Sequence, residues 1–141
     1  MSELAHLPDA VRRAIEITPA AGTLERIIDI TTLGRRTGRP RRIEIFFYRA
    51  HGATYLCSGA GGGATSWYAN LRAHPGFTVH LKNGVRADLP ARATTVGDPE
   101  ERARVLAAIV DDLNQPHDPG TIRPTRLADW AESRLMRIDF D

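Results

Sequence analysis

Five arginines crowd into eight positions of the segment Thr31-Thr32-Leu33-Gly34-Arg35-Arg36-Thr37-Gly38-Arg39-Pro40-Arg41-Arg42. Guanidinium groups offer a planar fork of N–H donors that matches phosphate or carboxylate. Gly34 and Gly38 let backbone amides turn toward a ligand, as anion-binding nests do. The chemistry this spacing suggests is recognition of an anion. A solvated basic turn with no ligand would have the same composition. A nucleic-acid contact is a further alternative, because Gly38-Arg39-Pro40 is similar to the core of an AT-hook. Thr37 stands where that core carries Arg, however, and the segment joins two strand-like runs instead of lying in disordered chain. The formal net charge is only +2, and the chain outside residues 35–42 is mildly acidic. One basic hotspot fits a local anionic ligand better than an extended polyanion, so no nucleic-acid partner is expected.

A second segment, Ser58-Gly59-Ala60-Gly61-Gly62-Gly63-Ala64-Thr65-Ser66-Trp67-Tyr68-Ala69-Asn70-Leu71, runs from a strand-like end into a helix-like start. Such a glycine-rich loop brings backbone close to a planar or phosphate-bearing ligand near a helix N-terminus. It is not a P-loop, since no Gly-Lys-Ser/Thr follows, and it lacks the βαβ setting of a dinucleotide fingerprint. Trp67 alone fits a core position better than a cofactor wall. His6, His51, His80 and His117 share no metal-ligand spacing and read as surface or turn residues, so no metal is expected. Cys57 is the single cysteine. It rules out an intramolecular disulfide framework and, within apolar Tyr55-Leu56-Cys57, reads as an inert core thiol. No nucleophile elbow is present. Asp111-Asp112 at a helix end suggests no function.

The elements that must position these segments come from a chain of 141 residues, 42% hydrophobic and 26% charged. That is one ordinary globular domain, spanning residues 1–141. No apolar run approaches the roughly 20 residues of a membrane helix, and Met1–Asp9 lacks a signal-peptide pattern. A cytoplasmic location without membrane insertion is the expectation. Residues 8–17 predict a short helix, with Val11, Ala14 and Ile15 on one face, and residues 1–23 form an N-terminal helix and lead-in. Strands are expected at 24–33, 41–49, 54–57, 77–81, 85–96 and 135–140. Lys82-Asn83-Gly84 predicts a hairpin turn, and Pro90 a bend or edge in the following strand. Helices are expected at 66–74 and from Asp98-Pro99 to about Leu113, the second with Asp98 as N-cap. Residues 114–141 hold a loop, a short helix near 126–131 and the final strand. Ile43, Ile45 and Phe47 alternate with Glu44, Phe46 and Tyr48. Apolar side chains on both faces suit a barrel strand or a partner subunit, and a homodimer is therefore possible. The fold class is mainly β (α+β): an antiparallel barrel of about six strands with peripheral helices.

Taken in order, Thr31–Arg41, Tyr55-Leu56-Cys57-Ser58-Gly59 and Trp67-Tyr68-Ala69-Asn70-Leu71-Arg72-Ala73-His74-Pro75 resemble the deazaflavin-dependent nitroreductase family. This is the nitroreductase/quinone reductase group of split-barrel flavin-fold proteins, and the resemblance covers about residues 25–110. It implies a split β-barrel that uses reduced coenzyme F420 as hydride donor to an electron-poor small molecule, a quinone, enone or nitroaromatic. It assigns the coenzyme phosphate and acidic tail to Arg35, Arg36, Thr37 and Arg41. Glu44, Ile45 and Phe46 would lie along the ring. Ser58, Gly59, Ala60 and Gly61 would approach the ring and phosphoribityl chain, and Trp67 and Asn70 match the helix-start positions. Tyr48, Tyr68 and His74 are the nearby proton sources, although His74-Pro75 also reads as a helix end. Many members carry Gly-Gly-Ala-Pro-Lys-His-Pro before the Trp-Tyr pair, whereas residues 61–66 here contain neither Lys nor Pro. A common Pro is replaced by Glu44, which either faces the ring or points outward to pair with Arg42 or Arg49. Flavin mononucleotide (FMN) or a tetrapyrrole is the alternative ligand, since split barrels bind these too.

Overall fold

Alternation puts Ile28, Ile30 and Thr32 on the inner face of Ile27–Leu33 (β1), while Asp29 and Thr31 face out. The structure, a computed structural model, describes residues 4–17, 24–59, 66–114 and 125–141. A helix, Asp9–Ile15 (α1), and a 3-10 turn, Leu24–Arg26, precede β1. Then come Pro40–Ala50 (β2), Ala53–Cys57 (β3), the helix Ser66–Ala73 (α2), Gly76–Leu81 (β4), Ala87–Thr95 (β5), the helix Pro99–Leu113 (α3), a 3-10 turn at Leu127–Trp130 and Leu135–Phe140 (β6). All strand pairs are antiparallel, and the barrel closes in the order β1-β2-β3-β6-β5-β4.

The seam that matters for function lies along β2. Its register with β1 runs from Ile27↔Phe46 to Leu33↔Pro40, but β3 joins it only from Phe47↔Leu56 to Ala50↔Ala53. Among the described residues, 40–46 therefore have a strand on one side and none on the other. Ile43, inward by alternation, is 37% exposed at this opening, and Phe46 is 41% exposed.

Inside the barrel, Ile28, Ile30, Phe47, Leu56, Val79, Leu89, Met136 and Ile138 form one core with Val11 and Ile15 of α1 and Trp67 and Leu71 of α2. Outside it, α3 packs Val105, Leu106, Ile109 and Val110 with Tyr48, Ala50, Tyr55, Cys57, Trp130 and Leu135. Four such side chains on α3 contribute about 1.5–3 kcal/mol each. The apolar residues Tyr48 and Ala50 on the second face of β2 thus find their cover within the chain, on α3. The cap of α3 is as the sequence predicts: Asp98 Oδ2 accepts from Glu101 N at 2.9 Å, with Pro in the first turn.

Two boundaries differ from expectation. Leu24–Arg26 is a 3-10 turn, so β1 starts at Ile27. The β4–β5 ladder ends at Leu81↔Ala87, leaving residues 82–86 as a longer loop than Asn-Gly implies. Lys82 Nζ reaches back to Asp29 Oδ1 at 2.7 Å and Asn83 Nδ2 to Ile27 O at 3.2 Å, which draws the turn off the ladder. Pro90 pairs with Thr78 on the β4 side, while the β6 register begins one residue later at Ala91. Its missing N–H therefore costs no ladder bond to β6.

The β2–β3 connection is a two-residue turn in which His51 has φ 52° and Gly52 φ 77°. Positive φ at both positions is the type I′ pattern, which favours Asn-Gly and strains His. His51→Asn is expected to stabilise the protein by about 0.5–1 kcal/mol. A melting temperature raised by a few degrees checks this, and an unchanged or lower one contradicts it.

Candidate functional site

The arginine segment folds as the turn between β1 and β2. Gly34 N donates to Arg39 O at 2.9 Å and Gly38 N to Gly34 O at 2.8 Å, so residues 35–37 curl through one helical turn. Gly38 ends it with φ 70°, a conformation glycine adopts without penalty. A Cβ at Gly34 would come 2.9 Å from Thr37 Oγ1. Arg35–Thr37 have no acceptor for their amides within the turn. Asn70, 97% buried on α2, supplies one: its Oδ1 accepts from Arg35 N at 3.0 Å and from Arg35 Nη1 at 3.3 Å. Its Nδ2 lies 3.5 Å from Thr32 Oγ1. Asn70 thus fastens the arginine turn to the helix.

Gly34, Arg35, Arg36, Thr37, Arg39, Pro40, Arg41 and Asn70 line a cleft of about 500 Å³. Among the described residues, Arg35, Arg36, Arg39 and Arg41 form no ion pair with a carboxylate, whereas the neighbouring Arg42 pairs with Asp29 at 2.9 Å. The turn is a cluster of guanidiniums left without a counter-charge.

A second cleft, of about 510 Å³, follows along the open edge of β2. Ile43, Glu44, Ile45 and Phe46 form one wall; Cys57, Ser58 and Gly59 at the end of β3, Trp67, Tyr48 and Trp130 form the rest. The two clefts take consecutive stretches of β2 and neighbouring positions of α2, Asn70 and Trp67. Together they make a trough bordered by residues 40–46 of β2, roughly 20 Å at about 3.3 Å per residue. It is cationic at one end and aromatic at the other.

Most of the expected site residues converge here. Arg35, Arg36, Thr37, Arg41 and Asn70 line the cationic end; Glu44, Ile45, Phe46, Ser58, Gly59, Trp67 and Tyr48 line the aromatic end. Ala60 and Gly61 lie outside the described residues. Trp67 belongs both to the core and to the cleft wall. Tyr68 lines neither cleft; it stands behind Trp67, edge-on at 5.9 Å. His74 follows the end of α2, its N–H bonded to Asn70 O at 2.8 Å, so it serves as a helix end.

The electrostatics settle the place of Glu44. It points outward by alternation and pairs with Lys82, the single lysine, not with Arg42 or Arg49. Lys82 also holds Asp29, lowering its carboxyl below the usual range, with Arg42 adding to the effect against partial burial. The same contacts with Asp29 and Glu44 raise the Lys82 ammonium. Glu44 therefore brings no isolated negative charge to the aromatic end. Burial pushes Tyr48 up to about 12, with Cys57 adding to the rise. The phenol keeps its proton and is a reluctant acid. Burial also raises Cys57, against hydrogen bonds from Ser133 and Gly59.

Several participants escape sequence reasoning. Trp130 reaches the cleft from the 3-10 turn near the C-terminus, edge-on to Tyr48 at 5.8 Å, and its Nε1 donates to Thr125 Oγ1 at 2.7 Å. Ser133, 1% exposed, accepts from Gly59 N at 3.0 Å and lies 2.7 Å from Cys57 Sγ. It ties the C-terminal segment to the start of the glycine-rich loop. Ordinary Ser and Trp carry no spacing signal that would have marked them. His80 corrects an expectation: it is a buried strand residue, not a surface or turn residue. Its Nε2 lies 2.7 Å from Thr31 Oγ1 and its Nδ1 2.6 Å from Asp88 Oδ1, a cross-strand bridge on the outer wall that lowers the Asp88 carboxyl. No group of three or more His, Cys, Asp or Glu suited to a metal occurs among the described residues.

A six-stranded barrel with an open seam beside a cationic turn defines the class: a split-barrel protein. Residues 9–118 match the F420H(2)-dependent quinone reductase family, and the chain belongs to that family. Solved structures agree on the fold. A conserved hypothetical protein from Mycobacterium tuberculosis superposes with a TM-score of 0.59 at 18% identity, over 93% of this chain and 79% of that one. An F420-H2 dependent reductase gives 0.51 at 21% identity, over 80% and 93%. HutZ, a haem storage protein from Vibrio cholerae, gives 0.57 at 16% identity, over 82% of each chain. The family's cofactor is coenzyme F420, and the site fits it: uncompensated guanidiniums suit a phosphate with an acidic tail, and the aromatic end suits a planar ring. No described helix is long and apolar enough to cross a membrane.

Proposed function

We propose that this chain is a reductase that binds reduced coenzyme F420 along the β2 trough and passes a hydride to a quinone-type acceptor. Enones and nitroaromatics belong to the same electron-poor class. One observation carries the reading: four guanidiniums without counter-charges stand at one end of a trough whose other end is walled by Phe46, Trp67, Tyr48 and Trp130. Arg35, Arg36, Thr37, Arg39 and Arg41 would hold the phosphate and acidic tail. Asn70 would keep Arg35 in place. Ser58 and Gly59 would support the ring across from Ile45. When bound, the reduced cofactor supplies two electrons as a hydride. The chain's own part is to orient the ring, exclude water with its aromatic walls and leave one ring face to the acceptor. Tyr48 would donate a hydrogen bond at the ring end without giving up its proton. Tyr68 lies too far back to serve as the acid directly, so the proton that completes the product would come from solvent.

The test is anaerobic oxidation of reduced F420 by a neutral naphthoquinone in the presence of purified protein, with reduced FMN and NADPH as parallel donors. The proposal expects turnover with reduced F420 alone. Turnover with reduced FMN only, or a haem or flavin spectrum in the purified protein with no F420 reaction, overturns it.

A further inference from the structure

The last rung between β3 and β6 is irregular. At every second rung of an antiparallel ladder, facing residues exchange two N–H···O bonds. Ser58 N donates to Arg134 O at 3.0 Å, as such a rung requires. The return bond runs instead from Arg134 N to Ser58 Oγ, at 2.7 Å. The hydroxyl has taken the place of the Ser58 carbonyl. Among the described residues no donor reaches Ser58 O, so this acceptor has been withdrawn from the ladder.

The next peptide aims it. Gly59 has φ 80°, a conformation that suits glycine, and its N–H turns to Ser133 Oγ at 3.0 Å. Ser133 is 1% exposed and stands behind the cleft wall, whereas Ser58 and Gly59 line the cleft itself. In a trans peptide the N–H and the C=O point in opposite directions. The bond that draws Gly59 N back to Ser133 therefore turns Ser58 O away from it, to the cleft side. The Ser133 hydroxyl carries two lone pairs. It can serve Gly59 N and also accept from the Cys57 thiol, whose Sγ lies 2.7 Å away.

A free carbonyl in this place needs a ligand with a donor. Quinones, enones and nitroaromatics present only oxygen acceptors at their reducible groups. The pyrimidinedione edge of a deazaflavin carries an imide N–H between two carbonyls. We infer that Ser133 is a positioning residue for the cofactor: by taking the Gly59 N–H it leaves the Ser58 carbonyl to accept the imide N–H of the ring. This rests on the reading of the trough as the F420 site. The contact fixes which edge of the ring enters the cleft, and no bond changes in it.

The test is fluorescence titration of F420, and of F420 methylated at the imide nitrogen, into the wild type and Ser133→Ala. Wild type is expected to bind F420 about tenfold more tightly than the methylated form, as one hydrogen bond implies. Ser133→Ala should bring that ratio to within about twofold, by weakening F420 and leaving the methylated form nearly unchanged. A merely structural role for Ser133 would weaken both ligands alike. The ratio should hold as salt rises, because the contact joins neutral groups, while the affinity of both ligands falls through the arginine turn. Amide exchange at Gly59 in the ligand-free wild type gives a second readout that needs no variant, and protection is expected there. Equal binding of the two ligands by the wild type, an unaltered ratio in Ser133→Ala, or unprotected exchange at Gly59 overturns the inference. In each of these cases F420 binding by the wild type leaves the trough reading standing. No F420 binding to the wild type overturns both.

Discussion

Asp112→Ala should destabilise the protein by about 3 kcal/mol, the low end of what breaking a buried ion pair costs. Asp112 Oδ2 accepts from Arg26 Nη2 at 2.8 Å, and the Arg26 side chain is only 3% exposed. Removing the carboxylate takes this ion-pair partner from a buried guanidinium. One effect runs the other way. A carboxylate in the last turn of α3 opposes the helix dipole, so its removal returns about 0.5 kcal/mol. The ion pair wins by a wide margin. Thermal unfolding should show a melting temperature lower by on the order of 10 °C. Asp112→Asn, which keeps an acceptor, should lose less, and Arg26→Met/Asp112→Leu should recover much of the loss. A melting point for Asp112→Ala within 2 °C or so of wild type would show that the pair does not join the 3-10 turn before β1 to α3 in solution.

The largest functional effect is expected from Arg35→Ala/Arg36→Ala. Both side chains are exposed at the cationic cleft and neither supports the core. Stability should therefore change little. Each guanidinium that meets a phosphate oxygen is worth about 1.5–3 kcal/mol. Losing two should weaken F420 binding by roughly two to four orders of magnitude. Calorimetry reads this directly, and the remaining affinity should depend less steeply on salt. Retained affinity within threefold or so of wild type would move the phosphate away from the turn. Asn70→Ala should share part of the loss with the arginines intact, because Arg35 loses the acceptor for its N–H.

The parts of the fold set by local patterns were legible in the sequence. Period-two alternation marked β6 at Leu135–Phe140, and Asp98-Pro99 marked the start of α3 to the residue. The parts set by tertiary contacts were not. Leu24–Arg26 looks strand-like, but Arg26 turns to meet Asp112, 86 residues away. Lys82 and Asn83 look like a tight turn until their contacts across β1 are known. The site divides along the same line. The arginine turn and the Trp67–Asn70 pair are contiguous in sequence and were readable. Trp130 reaches the cleft, and Ser133 the residues that line it, only because β6 lies beside β3, a pairing that no local pattern announces. His80 misled for a related reason. Its burial comes from the bridge to Thr31 and Asp88 on neighbouring strands.

The central claim is that the β2 trough selects deazaflavin over flavin although residues 61–66 supply no lysine. Paired fluorescence titrations of F420 and FMN into the wild-type protein at low and high salt test it most directly. The account predicts saturable one-to-one F420 binding, on the order of micromolar, that weakens as salt rises, with FMN binding much more weakly. FMN binding as tight as F420, or no F420 binding at low salt, would contradict it.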